Sequence, residues 1–214
     1  MVALAVVAAL ALLGGAFLSK WHHGSTKSKP SLDLHTVDWS NTKIPGSLCR
    51  ASGSILLHDG SASNVPSTFD GPEPNMAQDV SVDVKKVAYG DLTGDGKDEA
   101  ALPVLCMNHN ATAAGQTAMG VLVFDGSSNR LHLLGTLVGQ QRRSGEPPNF
   151  LEIRQMAYAT MGKIVAVESF YAPTDYNSCP TGRARDTWVY KNGQLKVAGS
   201  EDVKFVSADV VCNQ

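Results

Sequence analysis

The chain has 214 residues, and 18 lysines and arginines stand against 20 acidic residues, so its formal net charge is only −2. This length suits one domain, or one domain with an anchor, and 43% hydrophobic residues are enough to build a core. The charge is balanced, so no basic excess points to a nucleic-acid partner and no acidic excess points to a disordered tail. The sequence also lacks a phosphate-binding loop, a GxSxG motif, an HExxH motif and a CxxC pair, which excludes the enzyme classes that depend on them.

The amino-terminal segment predicts export. Residues 2–18 are 17 consecutive apolar or glycine residues, near the lower limit for a membrane-spanning helix and near the length of a secretory signal. We therefore interpret residues 1–19 as a signal peptide or membrane anchor and the polar residues 20–36 as a linker. The nearby lysines follow the apolar segment and by the positive-inside rule favour a cytoplasmic domain, so this interpretation expects the true start to lie upstream. Residues 37–214 are then an extracytoplasmic domain, secreted or anchored through the apolar segment.

The cysteines agree with export. They lie at intervals of 57, 73 and 33 residues, too far apart for the close ligand pairs of a zinc site. An even number of cysteines behind an export segment favours two disulfides. Three pairings are open, and we favour the one that joins sequence neighbours, because each bond then ties a loop to a nearby strand. The predicted pairs are Cys49 with Cys106 and Cys179 with Cys212.

Short apolar runs separated by Gly, Asn, Asp and Ser predict a mainly β domain. Val80, Val82 and Val84 alternate with polar residues, as in a half-buried strand. The continuous run 100–105 predicts a strand that is covered on both faces, and Asn192-Gly193 predicts a tight hairpin.

Two stretches, beginning near Tyr89 and Tyr158, each predict a four-stranded antiparallel meander with similar spacing between strands. Two such blade-like units are too few for a propeller. We therefore expect them to pack as a sandwich or to form one bent sheet.

The acidic stretch 90–100 is the sequence feature with the clearest chemistry. Its acids alternate with small residues, and calcium prefers six to eight oxygen ligands that one short turn can supply. The predicted ligands are the side chains of Asp91, Thr93, Asp95 and Glu99 and the carbonyl group of Lys97. The alternative is a metal-free turn, because Asp, Thr and Gly also stabilise tight turns through hydrogen bonds from side chain to backbone.

The string GDLTGDGKDEAALPV, followed by VLVFDG, resembles an FG-GAP or VCBS-type calcium-loop repeat over residues 87–126. The resemblance implies a loop between the first two strands of a blade that binds Ca²⁺ through Asp91, Asp95 and Glu99. Thr93 stands where that family usually has Asn, and Glu99 where it usually has Asp. Such a calcium ion would be structural, since it would order a loop and would not take part in chemistry.

A second resemblance is to actinobacterial exported proteins of the LppP/LprE lipoprotein type. It rests on YAPTDYNSCPTG (171–182) and WVYKNGQL (188–195), although the chain has no cysteine beside its apolar segment for lipid attachment. Together these features predict a non-catalytic binding domain with an unidentified envelope or extracellular partner. The alternatives are a hydrolase of cell-envelope polymers and a structural domain of an envelope complex.

The remaining candidates for catalysis are isolated in the sequence. His58, His109 and His132 have no Ser or Cys in an activating context, and we expect them to be surface or strand residues. A carboxylate pair of the glycosidase kind could be drawn from Glu152 with Glu168 or from Asp70 with Glu73, but the sequence does not show their separation.

Overall fold

The computed structural model describes residues 30–68, 76–109, 117–141, 162–172, 175 and 180–205. Over these residues the protein is mainly β, as the sequence predicts, with short 3-10 helices and no α-helix. The strands are β1 (Lys43–Pro45), β2 (Ser54–Leu56), β3 (Ser61–Ser67), β4 (Met76–Val82), β5 (Ala88–Gly90), β6 (Glu99–Asn108), β7 (Ala118–Asp125), β8 (His132–Leu137), β9 (Lys163–Phe170), β10 (Gly182–Lys191) and β11 (Gln194–Phe205).

A six-stranded antiparallel sheet is the centre of the described structure. Its strand order is β3-β4-β6-β7-β8, and β5 pairs with the first residues of β6. Glu99 and the apolar residues 100–102 are all buried at the start of β6, which explains why residues 100–102 do not alternate between apolar and polar. The sheet is therefore covered on both faces.

Pro103 lies in this central strand at a point where the neighbouring strand is interrupted. The backbone N–H that proline lacks is therefore not needed for a hydrogen bond between strands. On this side of β6, β4 pairs with Val104 and later residues, whereas β5 pairs only as far as Ala101. The 3-10 helix Val84–Lys86 connects the two strands across this gap, and the Asp83 N–H donates to the Pro103 carbonyl. Proline is tolerated here because the neighbouring strand is interrupted.

The amino-terminal part of the domain covers one face of the six-stranded sheet. Leu34, Trp39 and Ile44 are buried against residues of β6 and β7, and we call this packing the first core. Ser31 forms a bridge with Ser127, and the Leu32 N–H donates to the Gly126 carbonyl at 2.8 Å. The folded region therefore includes residues 31–36, which the sequence analysis assigned to the linker.

The predicted Cys49–Cys106 disulfide is present and joins this amino-terminal layer to β6. Both cysteines are completely buried in the first core. Cys179 and Cys212 lie outside the described residues, so the second predicted disulfide stays a prediction.

A three-stranded antiparallel sheet, β9-β10-β11, covers the other face. Ile164, Ala166 and Trp188 from this sheet pack against the six-stranded sheet in what we call the second core. The facing residues are Ala101, Val121, Val123 and Leu137. The two sheets therefore form a sandwich, which is one of the two predicted arrangements.

The predicted units correspond to these sheets. β5 to β8 form the first meander, and β9 to β11 provide three strands of the second. The expected first strand of the second unit, residues 156–158, lies outside the described residues. Asn192 and Gly193 form the predicted hairpin with φ values of +54° and +75°, the left-handed conformation that a two-residue turn of this type requires.

Candidate functional site

The acidic loop, residues 91–98, connects β5 to β6, which are paired next to each other in the sheet. Gly94 and Gly96 have φ values of +80° and +83°, and a Cβ atom at either position would meet no neighbour. The backbone conformation, and not lack of space, is therefore what requires glycine at these two points.

Asp91 holds the first half of the loop closed. Its Oδ1 atom accepts hydrogen bonds from the N–H groups of Gly94 at 2.7 Å and Asp95 at 3.2 Å, and its Oδ2 atom accepts one from Gly96 at 3.0 Å. Three consecutive backbone donors therefore point at one carboxylate. This arrangement fixes the curvature of the turn.

Glu99 is the buried acid of the loop, with 3% of its surface exposed. Its Oε2 atom accepts from the N–H groups of Leu92 at 2.6 Å and Thr93 at 2.8 Å, and its Oε1 atom accepts from the Thr93 hydroxyl group at 3.2 Å. Burial raises the pKa of Glu99, because the charged form loses its water, although these hydrogen bonds act in the opposite direction.

The structure therefore places the five predicted ligands in two groups within one turn. Glu99 contacts Thr93, while Asp91 contacts the backbone at Asp95, whose own Oδ1 atom accepts from the Lys97 N–H at 3.0 Å. Asp95 is exposed, so its carboxylate can turn toward an ion without breaking the core. Over the described part of the chain, no three His, Cys, Asp or Glu side chains are gathered closely enough to hold a metal ion as they stand.

The acidic loop lies where the two sheets meet. Leu92 is buried in the second core beside Ile164, and the Gly162 N–H donates to the Asp91 carbonyl at 3.4 Å. The Tyr190 N–H donates to the Gly162 carbonyl, which continues this contact into β10. Anything that orders the loop would therefore also affect the attachment of the three-stranded sheet.

A polar hollow of about 360 Å³ opens beside the loop, and its lining includes His35, Lys97 and Asp98. His35 Nε2 is 3.0 Å from Asp98 Oδ2, and the His35 ring stacks on Tyr89 with 4.0 Å between ring centroids. The sequence analysis did not select His35, because that residue lies in the segment assigned to the linker. Its position shows that the amino-terminal layer reaches the outer side of the loop.

The other histidine candidates are not assembled into a catalytic group. His109 Nδ1 is 2.7 Å from Asp79 Oδ1, and this contact is the main cause of the lowered pKa of Asp79. His132 Nδ1 is 3.6 Å from Asp125 Oδ2 at the surface. His58 is exposed next to a turn.

Of the four acids proposed as carboxylate pairs, only Glu168 lies within the described residues. The structure places it beside a different acid, Asp186 of β10, and both residues are completely buried. The positions of Glu152, Asp70 and Glu73 lie outside the described residues.

Comparison with protein-family models, with curated proteins and with solved structures finds no match to this chain. The interpretation of the acidic loop therefore rests on its own residues and contacts. Among the described residues, no helix is both long and apolar enough to cross a membrane. The apolar segment 2–18 lies outside them.

Proposed function

We propose that this chain is an exported, non-catalytic binding domain in which a structural Ca²⁺ ion orders the acidic loop between β5 and β6. The observation that carries the proposal is the closed turn itself, in which Asp91 gathers three backbone N–H groups while Asp95 stays exposed above it. The turn keeps Asp91 and Asp95 within one short loop, and the exposed Asp95 carboxylate can turn toward an ion. The ion would be coordinated by oxygen atoms of the loop that do not accept hydrogen bonds from the backbone N–H groups.

Two further features support this proposal. The buried Cys49–Cys106 disulfide is the kind of bond that persists in an oxidising compartment, which supports a location outside the cytoplasm. The loop also contacts the three-stranded sheet through Gly162 and Leu92, so that ordering it would stabilise the junction of the two sheets. This is a structural role for the ion, as in the calcium-loop repeats that the loop resembles.

A hydrolase is less well supported by the described residues. The acid pair Glu168 and Asp186 has no exposed surface, so a polymer substrate cannot reach it in this structure. A general acid or base must come within hydrogen-bond reach of the substrate.

The test is thermal unfolding of the oxidised full-length protein in EDTA and in 10 mM Ca²⁺. A ligand at about 100 times its Kd stabilises the folded state by about 2.7 kcal/mol, and a chain of this size then melts several degrees higher. We expect Ca²⁺ to raise the melting temperature by about 5–10 °C.

The informative variant is Asp95→Asn, because the Asn side-chain oxygen can still accept the Lys97 N–H while the charge needed for calcium is lost. Asp98→Asn is the matched control, since Asp98 lies in the same loop, pairs with His35 and is not a predicted ligand. A calcium shift in the wild type and in Asp98→Asn, but not in Asp95→Asn, supports the proposal. An equal melting temperature with and without Ca²⁺ in the wild type rejects it.

A further inference from the structure

Two acidic residues lie together in the buried face of the three-stranded sheet. Glu168 on β9 and Asp186 on β10 are both 0% exposed. Ala184 lies opposite Glu168, and Ala166 lies opposite Asp186, so the two acids are diagonal neighbours on the same face. This is the face through which Ala166 and Trp188 enter the second core.

Glu168 also connects the two sheets. Its carboxylate accepts hydrogen bonds from the N–H groups of Gln140 at 2.8 Å and Gln141 at 3.1 Å. These two residues follow β8, which belongs to the six-stranded sheet. Glu168 is therefore a buried polar contact between two layers whose shared core is otherwise lined by apolar side chains.

Asp186 forms a hydrogen bond with β11, which pairs with β10 on the side opposite β9. Its Oδ1 atom accepts a hydrogen bond from the Ser200 hydroxyl group of β11, while its Oδ2 atom is buried without a hydrogen-bond partner. An unpaired carboxylate oxygen in the interior is costly, and a proton on the neighbouring Glu168 removes the cost because Glu168 can then donate to this oxygen.

Burial disfavours two charges at once, since both side chains are completely buried. The groups that contact the pair include the N–H groups of Gln140 and Gln141 and the Ser200 hydroxyl group. Arg183 and Arg185 occupy the alternate positions of β10 and so lie on the opposite face. Burial is the main cause that raises the pKa of Glu168 to about 7, and the neighbouring Asp186 raises it further than burial alone would.

We propose that Glu168 and Asp186 form a pH-responsive latch, which shares one proton when the three-stranded sheet is closed onto the six-stranded sheet and loosens that sheet when the proton is lost. Loss of the proton leaves two negative charges side by side in the interior. Water can reach them only if β9 and β10 move away from the second core. An acidic environment therefore closes the latch, and a mildly alkaline one opens it.

The test is amide hydrogen exchange of the oxidised full-length protein, kept in mild detergent, at pH 6 and pH 8, with intrinsic exchange rates taken into account. A carboxyl group with a pKa near 7 in the folded state and an ordinary one in the open state changes the opening equilibrium about tenfold over this interval. We expect protection of the β9 and β10 amides to fall about tenfold from pH 6 to pH 8. We also expect these amides to be less protected than those of β6 and β7, because the three-stranded sheet opens by itself.

Glu168→Gln is the informative variant, because its amide oxygen can still accept from the Gln140 and Gln141 N–H groups while its NH₂ group can donate to Asp186 and does not titrate. It should abolish the tenfold change, and Glu201→Gln, an exposed charge removal on the same strand as Ser200, should leave the change intact. A tenfold change that persists in Glu168→Gln overturns the proposal. Equal protection in both sheets also overturns it, since the sheets would then open together.

If Glu168→Gln does not fold, carboxyl-carbon NMR of the wild-type protein decides the question. A side-chain carboxyl resonance that titrates between pH 6 and pH 8, coupled to shifts of the Gln140 and Gln141 amides, supports the latch. The absence of any such titration overturns it.

Discussion

At the scale of single residues, the acidic loop depends on one buried acceptor. Glu99 accepts hydrogen bonds from the N–H groups of Leu92 and Thr93. Removing its carboxylate leaves both donors unsatisfied in a poorly hydrated part of the protein. We expect Glu99→Ala to lower the free energy of unfolding by about 2–3 kcal/mol. Glu99→Gln should lower the free energy of unfolding by about half as much, because it keeps one acceptor oxygen. It also removes a charge that burial disfavours, as the raised pKa of Glu99 indicates.

Urea unfolding of the two Glu99 variants beside Asp98→Asn measures this difference. Asp98 is exposed and contacts only the surface residue His35 among the hydrogen bonds described, so its substitution should change stability by less than about 0.5 kcal/mol. Equal losses in Glu99→Ala and Asp98→Asn would contradict a structural role for the Glu99 carboxylate.

The sequence predicts that the candidate ligands share one turn, but it does not predict the acid pair. The separation of the residues along the chain explains both results. The ligand candidates lie within nine residues of each other, so their spacing already predicts one turn. Glu168 and Asp186 lie on different strands, and each shares a face with apolar residues in its own strand, but only the β9–β10 register brings them together. A single sequence does not give that register.

At the scale of elements, the β10–β11 hairpin offers a matched pair of glycines. Gly193 has a φ of +75°, whereas Gly199 of β11 has an ordinary φ, and a Cβ atom at either position would meet no neighbour. Gly193→Ala should therefore cost about 1–2 kcal/mol through backbone conformation alone. Gly199→Ala should be neutral or stabilise the protein by up to about 1 kcal/mol, because it restricts the unfolded chain. Thermal unfolding of both variants checks this, and equal effects would contradict the assignment of the turn.

Strands and hairpins were the elements that the sequence predicted best, because each has a local pattern. The pair Asn192-Gly193 led to the observed turn. The alternation at Val80 and Val82 led to the observed strand, although Val84, the third residue of that pattern, begins a 3-10 helix. Residues 31–36 were assigned to the linker, although Leu32 and Leu34 enter the first core from extended chain and a short 3-10 helix. Such segments have no hydrophobic period, so their burial depends on the sheet that they cover.

At the scale of the whole molecule, the buried and exposed acids give stability an unusual dependence on pH. Glu168 binds its proton more tightly in the folded protein, with a pKa of about 7 against an ordinary 4.5. Its contribution is therefore complete below about pH 4.5 and is lost as the pH rises to about 7. Glu99 has the same sign, because its pKa is also raised. Asp79 and Asp175 have lowered pKa values and act oppositely, since their contributions are lost as the pH falls below their ordinary range near 3.8.

These opposing effects predict a maximum of stability at mildly acidic pH. The shift at Glu168 corresponds to at most about 3 kcal/mol between pH 4.5 and pH 8. We expect urea unfolding to give a free energy about 2 kcal/mol higher at pH 5 than at pH 8 in the wild type. In Glu168→Gln most of this difference should disappear, whereas Glu201→Gln should keep it. Equal stability at the two pH values would mean that the carboxyl pair holds no proton in the folded protein, and would remove the physical basis of the latch.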